Sequence, residues 1–350
     1  MKQVEYKTKY NKLMINHKTT IQISNGDFIN AQAPFIISAS RATDIPAFYG
    51  DWFIERLKQG YVKWKNPFNN IPLYISFEKV RLIVFWSKNP KPMFKDLNYL
   101  DERNINYYFQ FTLNDYENEG IEQGVPILAA RIETFQQLAE KIGKEKVIWR
   151  FDPLILTNDM GVDDLLHKVE KIGNQLYGYT NKFVFSFADI YQYKKVQTNL
   201  HKSKTNYREF DKTQMHSFAV ELQKLNQKWK YEIGSCAEPI PLEQYGIVHN
   251  KCIDDDLIIH LFSHDKILMD YLDVKIVPPD MFNREQRLEK TRNNRDKGQR
   301  VFCECIVSKD IGEYNTCPHQ CEYCYANTNP KAALANWEKH KLDNRNESII

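Results

Sequence analysis

The sequence predicts an α/β fold, a (β/α) barrel that is complete or partial. Three observations carry this. Apolar, aromatic-rich runs recur along the chain, each about four to eight residues, as strands buried on both faces of a parallel sheet require. Stretches with apolar residues three and four apart lie between them, the spacing of helices with one buried stripe. The alternation persists through most of the 350 residues, which is how βα units in series look in sequence. A doubly wound open sheet is the alternative.

In chain order the predicted strands are Phe35–Ala39, Leu82–Trp86, Tyr107–Thr112, Val147–Phe151, Phe183–Phe187, Tyr231–Ser235 and Phe302–Ser308. Predicted helices are Ala47–Gln59, with Phe48, Trp52, Phe53 and Leu57 on one face, and Ile132–Ile142, with Phe135, Leu138 and Ile142. Val162–Leu176 and Phe210–Trp229 read the same way. Residues 1–33 form a polar N-terminal extension with an extra hairpin, residues 34–330 a single barrel domain, and residues 331–350 a polar tail that frays from Glu338 onward. Tyr191–Arg208 is polar and basic and reads as an exposed loop. Asn283–Arg300 is dense in charge and reads as an exposed helix with a turn at Gly298, its charges a solvated face.

Composition narrows the function. With 42% hydrophobic residues there is material for a full core, and a net charge of +3 is too small to imply nucleic acid. No apolar run approaches membrane-spanning length and no secretory leader is evident. The expected compartment is the cytoplasm, where thiols stay reduced, so the cysteines are not read as a disulfide framework.

Those cysteines are the most informative residues. Cys317, Cys321 and Cys324 follow a C-x3-C-x2-C spacing with Tyr323 directly before the last thiol. Three thiolates fix three irons of a cubane [4Fe–4S] cluster and leave the fourth open to a non-protein ligand. Structural zinc is a competing reading, with His319 or another cysteine as fourth ligand; unligated reduced thiols are a third. Cys236, Cys252, Cys303 and Cys305 remain, and four thiolates would fully ligate a second cluster. Cys303 and Cys305 alternate along a predicted strand and so share a face. Against this, Cys236 and Cys252 are also what small buried apolar residues look like.

In a barrel, polar residues just after each strand face the site. Here these are Ser40, Arg41, Thr43 and Asp44; Lys88 and Asn89; Thr112, Asn114 and Tyr116; Arg150 and Asp152; Ser186 and Asp189; Cys236 and Glu238. Arg150 stands out because a charge inside an apolar strand is costly unless paired or liganded. Its planar fork suits a carboxylate, of a cofactor or of a substrate. Arg150, Asp152, Arg41 and Asp44 are therefore the candidate catalytic residues, with Arg150–Asp152 or Arg41–Asp44 bracing pairs as the structural alternative. Lys88, Asn114 and Asp189 read as solvated loop groups.

The cysteine spacing, with its aromatic residue, resembles the signature of radical S-adenosylmethionine (SAM) enzymes. That resemblance implies an open iron chelated by the amino and carboxylate groups of SAM, and a reduced cluster that cleaves SAM to methionine and a 5′-deoxyadenosyl radical. The radical would abstract hydrogen from an unidentified substrate. An external one-electron reductant of flavodoxin or ferredoxin type is implied, and Tyr323 would pack against the adenine side of SAM. Cys324-Tyr325-Ala326-Asn327 resembles the end of cluster loops in spore photoproduct lyase-like proteins. Together with Ser40-Arg-Ala-Thr-Asp-Ile-Pro46, Trp149-Arg-Phe-Asp-Pro153 and Asp310-Ile-Gly-Glu-Tyr314, it is similar to an uncharacterised bacterial domain family, from about Pro34 to Asn327. Within these motifs Gly312 and Asn327 join Tyr323 as candidate cofactor-binding residues. In most radical SAM enzymes the cysteine loop follows the first barrel strand. Here Lys309–Cys324 follows the last predicted strand, which implies a circular permutation. Two other classes stay open: a metal protein without catalysis, in which zinc or iron–sulfur staples the C-terminal segment to the barrel, and a nucleic-acid repair protein using Asn283–Arg300 as a basic arm.

Overall fold

The computed structural model describes residues 17–67, 69–279 and 287–350. Its centre is an eight-stranded sheet. The strands are β1 (Ile36–Ala39), β2 (Leu82–Ser87), β3 (Asn106–Thr112), β4 (Val147–Leu154), β5 (Lys182–Phe187), β6 (Glu232–Ser235), β7 (Ile247–His249) and β8 (Lys309–Asp310). Every pairing is parallel. From β1 to β7 the spatial order is the chain order, and β8, last in sequence, pairs beside β1 through Lys309↔Ile37 and Asp310↔Ser38. A doubly wound sheet reverses its order at a switch point; from β1 to β7 this one does not. Nor is it a closed barrel, since its edges β7 and β8 are not paired with each other.

Both faces of the sheet are buried, as the continuous apolar runs require. Ile37, Phe85, Phe109, Phe111, Trp149, Phe183 and Phe185 pack on one face, against helices Gly50–Gln59, Leu128–Ile142, Val162–Leu176 and Lys212–Trp229. Alternate residues Ile36, Leu82, Val84, Tyr108, Ile148 and Val184 pack on the other. That second face is covered by helices Asp255–Phe262 and Lys266–Tyr271 and by the segment around Cys303–Ile306. Each large apolar side chain so enclosed contributes roughly 1.5–3 kcal/mol, and the two-sided covering is why the strands read as unbroken apolar runs.

Several expectations need correction. Phe302–Ser308 is not a strand: Val301 and Phe302 lie in an exposed turn, Ile306 makes an isolated bridge to Arg295, and the strand begins at Lys309. Cys303 and Cys305 therefore do not share a face through strand alternation. The helix predicted for Ala47–Gln59 is two, Ile45–Phe48 and Gly50–Gln59. Tyr191–Arg208 is mostly the helix Lys194–Ser203, anchored by buried Val196 and Leu200. The described part of Asn283–Arg300 holds a strand, Arg287–Lys290, antiparallel to Val274–Val277, in place of a helix; residues 283–286 lie outside the described residues.

The described part of the N-terminal extension forms a hairpin, Lys18–Gln22 with Phe28–Gln32, joined in one four-stranded sheet to Tyr61–Lys65 and Pro72–Ser76; residues 1–16 lie outside the described residues. The tail does not fray. After helix Pro330–Leu342 it docks on this small sheet: Glu347 accepts from Ser24 Oγ at 2.6 Å and Tyr74 OH at 3.1 Å, Trp52 Nε1 donates to the Asn346 carbonyl at 2.8 Å, and Ile349 is buried.

Candidate metal centres

The loop Ile311–Cys324 leaves β8 and crosses the carboxyl ends of the neighbouring strands. Its first anchor is Asp310, whose carboxylate accepts Ser38 Oγ at 2.6 Å, the Arg41 amide at 2.9 Å and the Gly312 amide at 2.9 Å. Gly312 then passes so close to the end of β1 that a Cβ there would sit 1.8 Å from Ser40 Oγ. Next, Thr43 Oγ1 lies 2.6 Å from Thr316 Oγ1 and accepts the Glu313 amide at 3.0 Å, and Tyr49 OH donates to the Thr316 carbonyl at 2.6 Å. Asn327 Nδ2 donates to the Cys317 carbonyl at 2.8 Å. Gly312 and Asn327, candidate cofactor residues by sequence, thus shape the loop.

Asp44 is a hub. It caps helix Ile45–Phe48 through the Ala47 amide at 3.0 Å, accepts the Lys88 amide at 2.7 Å, and lies 2.7 Å from His319 Nε2. The other ring nitrogen of His319 is 3.1 Å from the Gly124 carbonyl, so both are engaged. Gly124 has its own constraint, since a Cβ there would meet the Pro318 carbonyl at 2.5 Å. No Arg41–Asp44 pair forms: Asp44 serves His319, and the Arg41 guanidinium stacks over Trp86 at 4.9 Å.

Lys88 and Asn114 are not solvated. Lys88 Nζ donates to Glu122 at 2.7 Å and Tyr323 OH at 2.9 Å, and Asn114 Nδ2 donates to both at 3.0 Å. Tyr323 OH also donates a short hydrogen bond to Glu122. Glu122 pairs with Cys321 in an antiparallel bridge, and Arg131 is 3.6 Å from its second oxygen. Despite complete burial, the charges of Lys88 and Arg131 hold the Glu122 carboxyl down at about 2. The Glu122 and Arg131 roles were not legible in sequence: Glu122 sits in an irregular loop and Arg131 on a helix, without any motif.

Cys317, Cys321 and Cys324 are reduced and partly exposed at the loop surface. Desolvation pushes the Cys317 thiol up to about 12 and raises Cys321 and Cys324 as well. Without a metal they are neutral thiols; a coordinated cation deprotonates them outright.

The other four cysteines also meet. Cys236, at the end of β6, lies 3.5 Å from Cys252 Sγ. The Cys252 amide donates to Cys305 Sγ at 3.2 Å, and Cys303 lies two residues before Cys305 in the same buried segment. Arg150 Nη1 donates to Cys252 Sγ at 3.2 Å and to Gln110 at 3.1 Å, while its remaining donors form a tight pair with Asp152, which also accepts from Ser186. The thiols of Cys236 and Cys305 and the two guanidinium groups hold the Cys252 thiol well below its ordinary range. Burial raises Glu238 to about 8; one oxygen accepts the Phe187 amide at 2.8 Å. Asp189 lies 3.6 Å from Arg300.

Among the described residues, three His, Cys, Asp or Glu ligand atoms come within 4.8 Å of one another only at Asp254, Asp255 and Asp256. Those carboxylates are matched by Lys182 at 3.0 Å, Lys251 at 2.9 Å and Lys290 at 2.6 Å. Neither cysteine group closes to the tetrahedron of a zinc ion, whose sulfurs, at about 2.3 Å from the metal, lie roughly 3.8 Å apart. A cubane seats its thiolates at the corners of a larger tetrahedron.

The chain belongs to the family described as Domain of unknown function (DUF1848), whose model matches residues 36–326. No curated protein matches it. Among solved structures, a candidate alpha-L-fucosidase from Bacteroides thetaiotaomicron is similar over 55% of this chain and 84% of its own, at 10% identity and a TM-score of 0.26. A likeness at that score carries no argument. No described helix is long and apolar enough to cross a membrane.

Proposed function

We propose that this protein is a radical SAM enzyme on a circularly permuted, open α/β sheet, acting in a reducing compartment with an external one-electron reductant of flavodoxin or ferredoxin type. The observation that carries the reading is the loop of Cys317, Cys321 and Cys324, braced across strand ends with its thiols spread wider than a single zinc ion needs. Its donor set suits three irons of a cubane cluster. His319, the nearest candidate for a fourth zinc ligand, has both nitrogens engaged by Asp44 and Gly124. Bound there, a [4Fe–4S] cluster with an open iron supplies the electron that cleaves SAM to methionine and a 5′-deoxyadenosyl radical.

The rest is the work of this chain's own side chains. Lys88, Asn114 and Glu122 fix the Tyr323 phenol and so orient the residue between the second and third thiols. Asp44 holds His319 and, through the Lys88 amide, ties the ends of β1 and β2 to the loop. Such bracing keeps a reactive site in one geometry and limits water. Arg150 is a bracing residue through Asp152, whereas Arg41 keeps a buried Nη2 without a hydrogen-bond partner.

The test is anaerobic reconstitution with iron and sulfide, reduction, and EPR with and without SAM. A [4Fe–4S]⁺ signal that shifts on adding SAM supports the reading. A cluster indifferent to SAM, or stoichiometric zinc in the purified protein, overturns it.

A further inference from the structure

We propose that Cys236, Cys252, Cys303 and Cys305 form a second metal–thiolate centre, a [4Fe–4S] cluster with all four irons held by protein, for which Arg41 and Arg150 are the counter-charges.

The four thiols come from three separate segments and meet on the second face of the sheet, at 9%, 6%, 8% and 2% exposure. Buried cysteines alone would be unremarkable, because a free thiol packs like a small apolar side chain. What apolar packing does not explain is their surroundings. Arg150 donates to Cys252 Sγ at 3.2 Å, Asn250 Nδ2 donates to it at 3.4 Å, and the Cys252 amide donates to Cys305 Sγ at 3.2 Å. Three N–H groups thus point at two sulfurs, as around the thiolates of iron–sulfur centres, where such bonds tune the cluster.

Arg41 makes the stronger case. Burying a guanidinium costs several kcal/mol unless it is paired. The nearby Asp310 carboxylate accepts from Ser38 and from the Arg41 and Gly312 amides. The charges that act on the Arg41 guanidinium are led by Cys305, Asp310 and Cys252 in that order, and its Nη2 is buried without a partner. With neutral thiols the Asp310 carboxylate is left as the main opposite charge acting on that cation, and Nη2 still has no acceptor. A four-thiolate cluster supplies both the negative charge and sulfur acceptors at that place.

The spread of the thiols favours a cluster over zinc. Contacts run from Cys236 to Cys252 and from the Cys252 amide to Cys305, with Cys303 two residues away, but no three of these sulfurs lie within 4.8 Å of one another. Cys236 and Cys252, 3.5 Å apart, would separate as iron enters. With every iron ligated by protein, the centre has no open position for SAM, so its chemistry is to take up one electron from the external reductant and give it back. Arg41 also connects the two centres, because its carbonyl accepts Tyr325 OH at 2.9 Å, from the residue after Cys324.

The inference does not depend on the first loop being a SAM site, and the experiment separates the two. The triple variant Cys317→Ser, Cys321→Ser, Cys324→Ser is reconstituted anaerobically, its fold checked by circular dichroism, and its metals counted. The expected result is about four irons per chain, with a [4Fe–4S]⁺ signal that SAM does not move. Arg41→Gln or Arg150→Gln in that background makes the reduction potential more negative, while Arg41→Lys keeps most of it. One zinc per folded chain, no metal, or a potential indifferent to both arginines overturns the proposal. The double variant Cys236→Ser, Cys252→Ser reads the other arm: it retains a SAM-responsive signal only if the first loop is what we propose.

Discussion

The two cysteine groups are built in opposite ways. Cys317, Cys321 and Cys324 sit in one loop, partly exposed, and their order comes from outside: Asp44, Thr43, Lys88, Asn114 and Glu122 reach in from strand ends and loops. Cys236, Cys252, Cys303 and Cys305 come from distant segments and are buried, with Cys236 beside Cys252 and Arg150 bonded to Cys252 directly. The first group is made by a motif and held by a fold. The second exists only once the sheet has folded. Its ligands carry no common spacing, and that is why ligand spacing reveals one kind of site and conceals the other.

The comparison breaks most sharply at Gly312. A Cβ there has no room beside Ser40. Gly312→Val is expected to cost about 3 kcal/mol or more through overpacking. Iron should fall by about half, with the SAM-responsive signal lost and the SAM-indifferent one kept; equal loss of both would mean the centres are not separately supported.

Next in size is Glu122, which belongs to the first group alone. Glu122→Gln leaves Lys88 and Arg131 buried without their anion and should destabilise the protein by roughly 3 kcal/mol at neutral pH. The folded carboxyl, at about 2, lies below its ordinary 4.5, so the wild type gains this stability above about pH 4.5 and loses it as pH falls toward 2. The variant should lack that portion of the pH dependence, and denaturant midpoints of both proteins between pH 7 and 2 should converge at the acid end.

The smallest effect sharpens the comparison by touching neither group. Glu347→Gln weakens the tail's bonds to Ser24, Tyr61 and Tyr74. A loss of about 1–2 kcal/mol is expected, read as a lower thermal midpoint with iron content unchanged.

Six strands of the large sheet and the four helices on its first face were legible because burial on both sheet faces writes unbroken apolar runs, and helix stripes write their own period; Asp255–Phe262, Lys266–Tyr271 and Pro330–Leu342 were not read. Phe302–Ser308 failed for the same reason in reverse: Cys303, Cys305 and Ile306 are apolar, yet they cap the sheet face from an irregular segment, with Phe302 exposed before them. β7, a three-residue strand, left too short a run to read. The loop cysteines were legible from spacing. Glu122 was not, because a loop carboxylate acquires meaning only from the Lys88 and Tyr323 it meets. Lys88 and Asn114 read as solvated for the same want of partners.

The seam between β8 and β1 has a consequence for how the protein comes into being. Asp310 bonds Ser38 across 272 positions of chain, among the longest-range contacts a protein of this size can make. Such contacts pay their loop-closure entropy late. The braces on the first loop reach it from Thr43, Tyr49 and Lys88, so the loop has no seat until the ends of β1 and β2 are in place beside β8. Loading of the proposed centre would therefore follow formation of the sheet, and whatever delivers a metal there would meet strands already paired.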